Sequence, residues 1–426
     1  MRVLLVGDGP QITSGYGVTL KLLGKRLLEL GHEVIFFDTS FAMDNFKGKC
    51  YLINQFLTEL ILAQKEGKWT DIPIDDVRKD VGQAVITFKE EKSAFPFNDL
   101  QNLTLKIQPD VAVILKDLNN YPKHFKIHIP FLTYCPLDAY PLSPSILEKL
   151  HLFEKVIAIS DYGKKEINKY NFNAEFIPHS LNQQTLEEVD KLDRDILREK
   201  YHIPKDKFVV LMLASNTESN NRKGWSFNLE GYNNFSKDKE DVICYINCNM
   251  NGTDNPTNIA SRRIGLDLCR YMDILKIRDD KWMTCPINKC RQYTQREIYE
   301  QIKCADVLLS CSKGEGCSIV LLEAQSLNVP VITTNFTAMR ENCMNGILVE
   351  PYCLEYLHTG SFHSIPNIVL IQDALEEIYL DKKNNKKIFH RPDIQKIIRT
   401  KHNYKTNGDL FEKIMKQEIN NFKKYN

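Results

Sequence analysis

Gly314-Glu315-Gly316-Cys317-Ser318-Ile319-Val320-Leu321-Leu322-Glu323-Ala324, followed by Val329-Pro330-Val331-Ile332, reads as a loop, a helix and a buried strand. Ser318 is a residue type favoured at helix N-caps. Ile319, Leu322 and Ser326 recur on one helical face. Asn328 suits the left-handed conformation that ends a helix, and Pro330 blocks its continuation. Glu315 therefore belongs to the loop ahead of the helix, and Glu323 lies about 7–8 Å along its axis. Between them stands a helix N-terminus with free backbone N–H groups and the positive end of the helix dipole. The pattern implies an anion site flanked by two carboxylates that can take hydroxyl groups.

A nucleotide-sugar presents sugar hydroxyls, a diphosphate and ribose hydroxyls in that order. Two glutamates with seven residues between them, the following Ala324, and Pro330-Val331-Ile332 after the helix resemble the donor-binding signature of retaining GT-B glycosyltransferases, above all family 4. The resemblance implies an α/β protein of GT-B architecture, with two Rossmann-like parallel-sheet domains and the active site in the cleft between them. The chain departs from the family pattern at Cys317 and Ser318, where an aromatic residue and glycine are usual, and at Asn328, often glycine; donor choice is what these changes bear on. Under the resemblance Glu315 orients the sugar and Glu323 the ribose, and the loop backbone of Gly316, Cys317, Ser318 and Ile319 meets the donor.

At 426 residues the chain exceeds one ordinary core, and two domains of about 180–200 residues are the natural division. The expected boundaries are 1–182 for an acceptor-side domain and 183–400 for a donor-side domain, with 401–426 a helix whose apolar stripe (Phe411, Ile414, Met415, Ile419, Phe422) packs back on the first. A stripe of this kind would serve equally to cover the second domain. Lys+Arg 56 against Asp+Glu 55 gives no basic field for nucleic acid. The run Lys382-Lys383-Asn384-Asn385-Lys386-Lys387 reads as a solvated loop, with peripheral contact to an anionic membrane as its other reading. No apolar run approaches the ~20 residues of a membrane span. The twelve cysteines are scattered and lack zinc-site spacing. Together with an N-terminus that runs straight into Val3-Leu4-Leu5-Val6, without a signal-peptide pattern, they suit a reduced, cytoplasmic protein.

In the first half, Arg2–Val6, a helix with Leu20, Leu23, Leu27 and Leu30 on one face, and Val34–Phe37 form a βαβ unit. Its loop, Gly7 to Gly17, lacks a G-x-G-x-x-G in the required place for a dinucleotide. Gly15 and Gly17 open the helix, where a backbone can approach a phosphate; the family's N-domain glycine loop is similar, and a structural turn is the other reading. Residues 40–105 carry no readable motif beyond apolar stretches such as Leu52–Leu62; acceptor specificity could reside there. Strands follow at Val111–Leu115, Phe131–Cys135, Lys155–Ile159 and Glu175–Ile177. Asp138, in Pro136-Leu137-Asp138-Ala139-Tyr140-Pro141, leaves a strand end where it can meet an acceptor or a sugar hydroxyl, or simply form a turn. His179 is either a donor contact or a hydrogen-bonded loop histidine.

In the second half, Asp193-Arg194-Asp195 falls inside an expected helix 190–201, where successive residues diverge; it is a solvated face and not a metal site. Phe208–Ala214 is an apolar strand whose loop reaches Arg222-Lys223-Gly224. A planar cation and a point cation beside glycine suit a diphosphate, and the family places a basic pair in this loop. Further strands are expected at Val242–Cys248 and Trp282–Cys285, with a helix near 257–275. Thr294-Gln295-Arg296-Glu297 is a capping box, and Ile347–Val349 is the expected last strand.

The reading is metal-independent transfer of a sugar, with retention, from a nucleoside-diphosphate sugar to a glycan, lipid or small-molecule hydroxyl. Arg222, Lys223 and Glu315 are the catalytic set, with no cofactor. A binding-only GT-B scaffold and a nucleotide-sugar epimerase are the alternatives.

Overall fold

Strands of a parallel sheet covered by helices on both faces must be apolar throughout, and the two groups of apolar runs in this chain form two such sheets. The computed structural model describes residues 1–10, 14–39, 49–52, 86–87, 97–121, 127–253, 264–286 and 293–425. Most of 40–105, including nearly all of Leu52–Leu62, lies outside the described residues, as does the first part of the helix expected near 257–275; of the rest, 264–267 are not helical and the helix is Leu268–Leu275.

The chain divides into two compact units, Met1–Pro136 with Pro144–Leu181 and Asn403–Asn426, and Leu137–Ser143 with Asn182–His402. The boundaries fall one and two residues from the expected ones, and the short segment carrying Asp138 counts with the second unit.

The first unit is built on strands β1 (Arg2–Gly7), β2 (Glu33–Asp38), β3 (Lys49–Leu52), β4 (Ile86–Thr87), β5 (Val111–Ile114), β6 (Phe131–Cys135), β7 (Lys155–Ala158) and β8 (Glu175–Phe176). Their order is β4-β3-β2-β1-β5-β6-β7-β8. β1, β2 and β5 to β8 run parallel, and β3 and β4 add an antiparallel edge. Val3, Leu4, Leu5 and Val6 are fully buried; burying a side chain of this size contributes about 1.5–3 kcal/mol each. The helix Tyr404–Tyr425 lies on the helix Gly15–Glu29 of this unit. Phe411, Met415 and Ile419 are buried, while Ile414 and Phe422 are half-buried. Arg26 Nε bonds Asp409 at 2.7 Å and His32 Nε2 meets Glu412 at 2.6 Å.

The second unit carries β9 (Phe208–Leu213), β10 (Val242–Asn247), β11 (Trp282–Thr284), β12 (Val307–Leu309), β13 (Val331–Thr334) and β14 (Gly346–Val349). All are parallel, in the order β11-β10-β9-β12-β13-β14. Phe208, Val210 and Met212 alternate onto one face, with the helices Trp225–Ser236 and Ile368–Lys383 packed over it. A side chain at Gly231 would collide with Ile371, so glycine lets these helices approach.

Three expectations are corrected. The expected helix 190–201 is broken: one helix ends at Asp190, and Asp193 caps the next, Arg194–Lys200, accepting from the N–H groups of Asp195 and Ile196. Arg194 reaches the buried Asp306 at 2.6 Å, while Asp193 and Asp195 are exposed, so the triplet is a helix start whose two carboxylates are solvated as expected and whose arginine is not. Lys382 belongs to a helix and binds Asp306, so the lysine run is only partly loop. β14 is not the last strand: β15 (Cys353–Tyr356) and β16 (Phe362–Ile365) follow as an antiparallel hairpin.

Candidate active site

The strand order of the second sheet reverses between β9 and β12, and the loops leaving their C-terminal ends meet there. Such switch points are where open α/β sheets bind ligands. The loop after β9 brings Arg222 and Lys223, and the loop after β12 brings Glu315. Lys223 Nζ donates to Glu315 Oε1 at 2.6 Å, and Arg222 Nη1 donates to Glu315 Oε2 at 3.3 Å and to the Gly314 carbonyl at 3.2 Å. The fork of Arg222 is occupied by Glu218, at 2.8 and 2.6 Å. Asp138 Oδ2 stands 3.8 Å from Arg222 Nε.

The backbone explains why this convergence is stable. Gly224 has φ +68°, and a Cβ there would be forced into the Cys311 carbonyl. The buried Asn228 side chain spans the two loops, donating to the Lys223 carbonyl at 3.4 Å and accepting from the Cys311 N–H at 3.1 Å. The Lys313 N–H donates to the Arg222 carbonyl at 2.7 Å. Thr337 Oγ1 donates to the Glu315 carbonyl at 3.0 Å and accepts from its N–H at 3.2 Å. A Cβ at Gly314 would be driven into the Asp138 carbonyl, so these loops touch through backbone.

The helix after Glu315 is Ile319–Ser326. Ser318 occupies its N-cap position but does not cap it: φ is 54° and the side chain makes no capping bond. That left-handed conformation accounts for a glycine preference at this position. None of the N–H groups of Gly316, Cys317, Ser318, Ile319 and Val320 finds an acceptor among the described residues. The Cys317 carbonyl accepts from Asn342. The helix closes as expected at Asn328, φ 58°. The Val329 N–H bonds the Ala324 carbonyl and the Asn328 N–H bonds that of Gln325, a Schellman motif. From Leu321 to Ser326 every residue is buried, so the single apolar face expected for this helix is replaced by burial all round.

The two glutamates consequently occupy opposite electrostatic settings. Burial alone would raise the Glu315 carboxyl, but Lys223 and Arg222 override it and hold it at about 2. Glu323 is 4 % exposed. Its Oε1 accepts from Gln295 Nε2 at 2.6 Å. Burial pushes its carboxyl up to about 8, and no cation among the described residues opposes it.

Gly15, Gly17 and His179 belong to the first unit. The Gly17 N–H is taken by Ser14 Oγ at 3.0 Å, which leaves it no free donor for a phosphate. Ser14 Oγ in turn donates to Asp8, which also pairs with Lys116 at 2.8 Å. His179 is buried, with Nδ1 3.0 Å from Thr19 Oγ1 and its ring against Tyr134.

Three residues at the β9–β12 site were not singled out from the sequence. Glu218 is four residues before Arg222, a spacing that could have flagged it. Lys313 pairs with Glu355 at 2.6 Å, and its carbonyl accepts from Ser364 N at 2.8 Å and Oγ at 2.7 Å. His363 is buried beside Gly314, and burial, Arg222 and Lys313 lower its imidazole to about 4; as a lone histidine it gave no sequence signal.

Two parallel Rossmann-like sheets define a GT-B fold, and the comparisons agree. The chain is similar over 98 % of its length to a glycosyltransferase from Rickettsia africae (16 % identity, 98 % of that chain, TM-score 0.65). It is also similar to sucrose-phosphate synthase from Thermosynechococcus elongatus (13 %, 98 % of each chain, TM-score 0.67) and to Anabaena HepE in complex with UDP and glucose (12 %, 98 % of this chain, 100 % of that one, TM-score 0.61). Residues 287–357, which contain both glutamates, match the family model described as glycosyl transferases group 1. No curated protein sequence matches the chain.

Proposed function

We propose that this protein is a retaining glycosyltransferase that moves a sugar from a nucleoside-diphosphate sugar to an acceptor hydroxyl without a metal ion. The observation that carries the reading is the convergence of Arg222, Lys223 and Glu315 at the switch point of the second sheet. The unengaged N–H groups at the start of Ile319–Ser326 support it.

Breaking the bond between the anomeric carbon and the diphosphate sends the electron pair to the phosphate oxygen and leaves positive charge on the ring. Lys223 has three donors and can hold Glu315 while turning another toward the diphosphate. Arg222, braced by Glu218, adds positive charge beside it. Glu315, ionised throughout the neutral range, accepts from sugar hydroxyls. Glu323 faces the ribose, and Asp138 a sugar or acceptor hydroxyl. No described residue is assigned as nucleophile; in the mechanism that the resemblance implies, the departing diphosphate takes the acceptor proton on the same face. The binding-only alternative rested on Cys317-Ser318, and Ser318 takes up the left-handed conformation its position uses.

The test is release of nucleoside diphosphate from UDP-, GDP- and ADP-glucose, with UDP-glucose first because HepE holds UDP and glucose on this fold. Losing a group that stabilises developing charge costs about 10²–10³ in rate. Lys223→Ala should lose that much with its fold intact, and wild-type turnover in the variant would refute the role.

A further inference from the structure

The capping box at Thr294 is fully formed: Thr294 Oγ1 accepts from the Glu297 N–H at 3.3 Å, and Glu297 Oε2 accepts from the Thr294 N–H at 2.8 Å. It fixes where the helix Gln295–Cys304 begins, and so places Gln295 at its first position. Gln295 is 9 % exposed and points its amide at the helix Ile319–Ser326. Its Nε2 takes Glu323 Oε1, while Oε2 has no partner among the described residues. On the next turn Tyr299 is fully buried beside the same carboxyl, near enough to act on its titration, yet its hydroxyl makes no well-formed hydrogen bond among the described residues. A buried carboxyl with one oxygen held by a neutral amide, the other left open, and an unpartnered hydroxyl at its side is an arrangement waiting for further hydrogen bonds. A buried hydroxyl left unmet, as that of Tyr299 is, is uncommon and costly.

We infer that Gln295 is a positioning residue: its amide clamps Glu323 Oε1 so that Oε2 is presented to the hydroxyl groups of a bound nucleoside diphosphate. This rests on the function proposed above and assigns to it a residue outside the glutamate motif. The clamp acts without charge, so it aims the carboxyl without forming an ion pair that a ligand would have to break. Gln295 does not touch the reacting bond. Its loss should therefore weaken binding of the nucleotide and leave the chemical step nearly intact, the reverse of the pattern at Lys223.

The experiment is titration calorimetry of the full chain with UDP, GDP and ADP, paired with kcat and KM for release from the matching glucose donor. Gln295→Leu removes the amide at similar size. Gln295→Glu makes a carboxyl pair that can share one proton and restore the bond at low pH. The expected result is a Kd about tenfold higher for Gln295→Leu, with kcat within threefold of wild type. Gln295→Glu should bind nearly as wild type at pH 6 and lose affinity by pH 9, beyond any loss in wild type. Unchanged affinity in Gln295→Leu while wild type binds overturns the inference alone. So does equal weakening of Gln295→Glu at both pH values, which is the mark of mere damage to packing. Failure of the wild-type chain to bind any of the three nucleotides overturns the proposed function, and the inference with it.

Discussion

Replacing Glu323 with glutamine tests whether the buried carboxyl carries a proton at neutral pH. Its pKa is raised from 4.5 to about 8 by burial. Between those values the folded chain holds a proton that the unfolded chain has released, so stability falls as pH rises. The stabilising state is fully present below the unfolded value and lost by the folded one. The slope is about 1.4 kcal/mol per pH unit for one proton. From pH 5 to pH 7.5 wild type should therefore lose ~3 kcal/mol that Glu323→Gln does not, and the two should run parallel again above about pH 9. The substituted amide can still accept from Gln295, so the bond at that end survives. Urea unfolding followed by Trp225 and Trp282, both in the second unit, reads the difference directly, as a relative midpoint shift of about 1 M for a unit of this size. Other titrating groups cancel between the two proteins. Midpoints that keep a constant separation from pH 5 to pH 7.5 would mean that Glu323 is ionised throughout, and the account of its environment would fail.

Gly224→Ala should prevent the β9 and β12 loops from meeting as they do, because its Cβ has no room beside the Cys311 carbonyl and its φ is +68°. A loss of more than ~2 kcal/mol in urea unfolding is expected, combining left-handed strain with overpacking; a variant as stable as wild type would contradict the close approach. Ser318→Gly should relieve the left-handed serine and gain up to about 1 kcal/mol, less the chain entropy that glycine adds. Destabilisation by that variant would show that the Ser318 side chain does something the structure assigns to no bond.

Much of the fold was legible because a parallel strand buried on both faces must be an apolar run. Phe131–Cys135 falls where its sequence places it, and β9 and β10 differ from expectation by one residue at an end. The hairpin of β15 and β16 was not legible. Cys353-Leu354-Glu355-Tyr356 has neither apolar continuity nor clean alternation, and its partner strand is held by tertiary bonds from Ser364 to Lys313 and from Phe362 to Tyr140. At the site, residue types and spacing pointed to Arg222, Lys223 and Glu315, since cations near glycine after a strand are a local signal. The state of Glu323 was hidden, because it is set by tertiary burial, and the amide that bonds it, Gln295, is 28 positions away in sequence. The same capping box that announced a helix gave no sign of what that helix would face.

The segment Leu137–Ser143 leaves the first unit for the second and returns. Tyr140 and Phe362 exchange both backbone bonds there, and the Asp138 carbonyl backs Gly314. This has a practical bearing on dissecting the protein. A fragment cut at Asn182 and His402 would contain Arg222, Lys223 and Glu315 yet lack the strip of chain against which their loop is seated, leaving the inner edge of β16 open to pair with whatever strand it met. The complementary fragment ending at Leu181 would be missing its closing helix. Inactivity of either piece would report the amputation, and the shortest polypeptide on which this site can be fairly assayed is close to the whole chain.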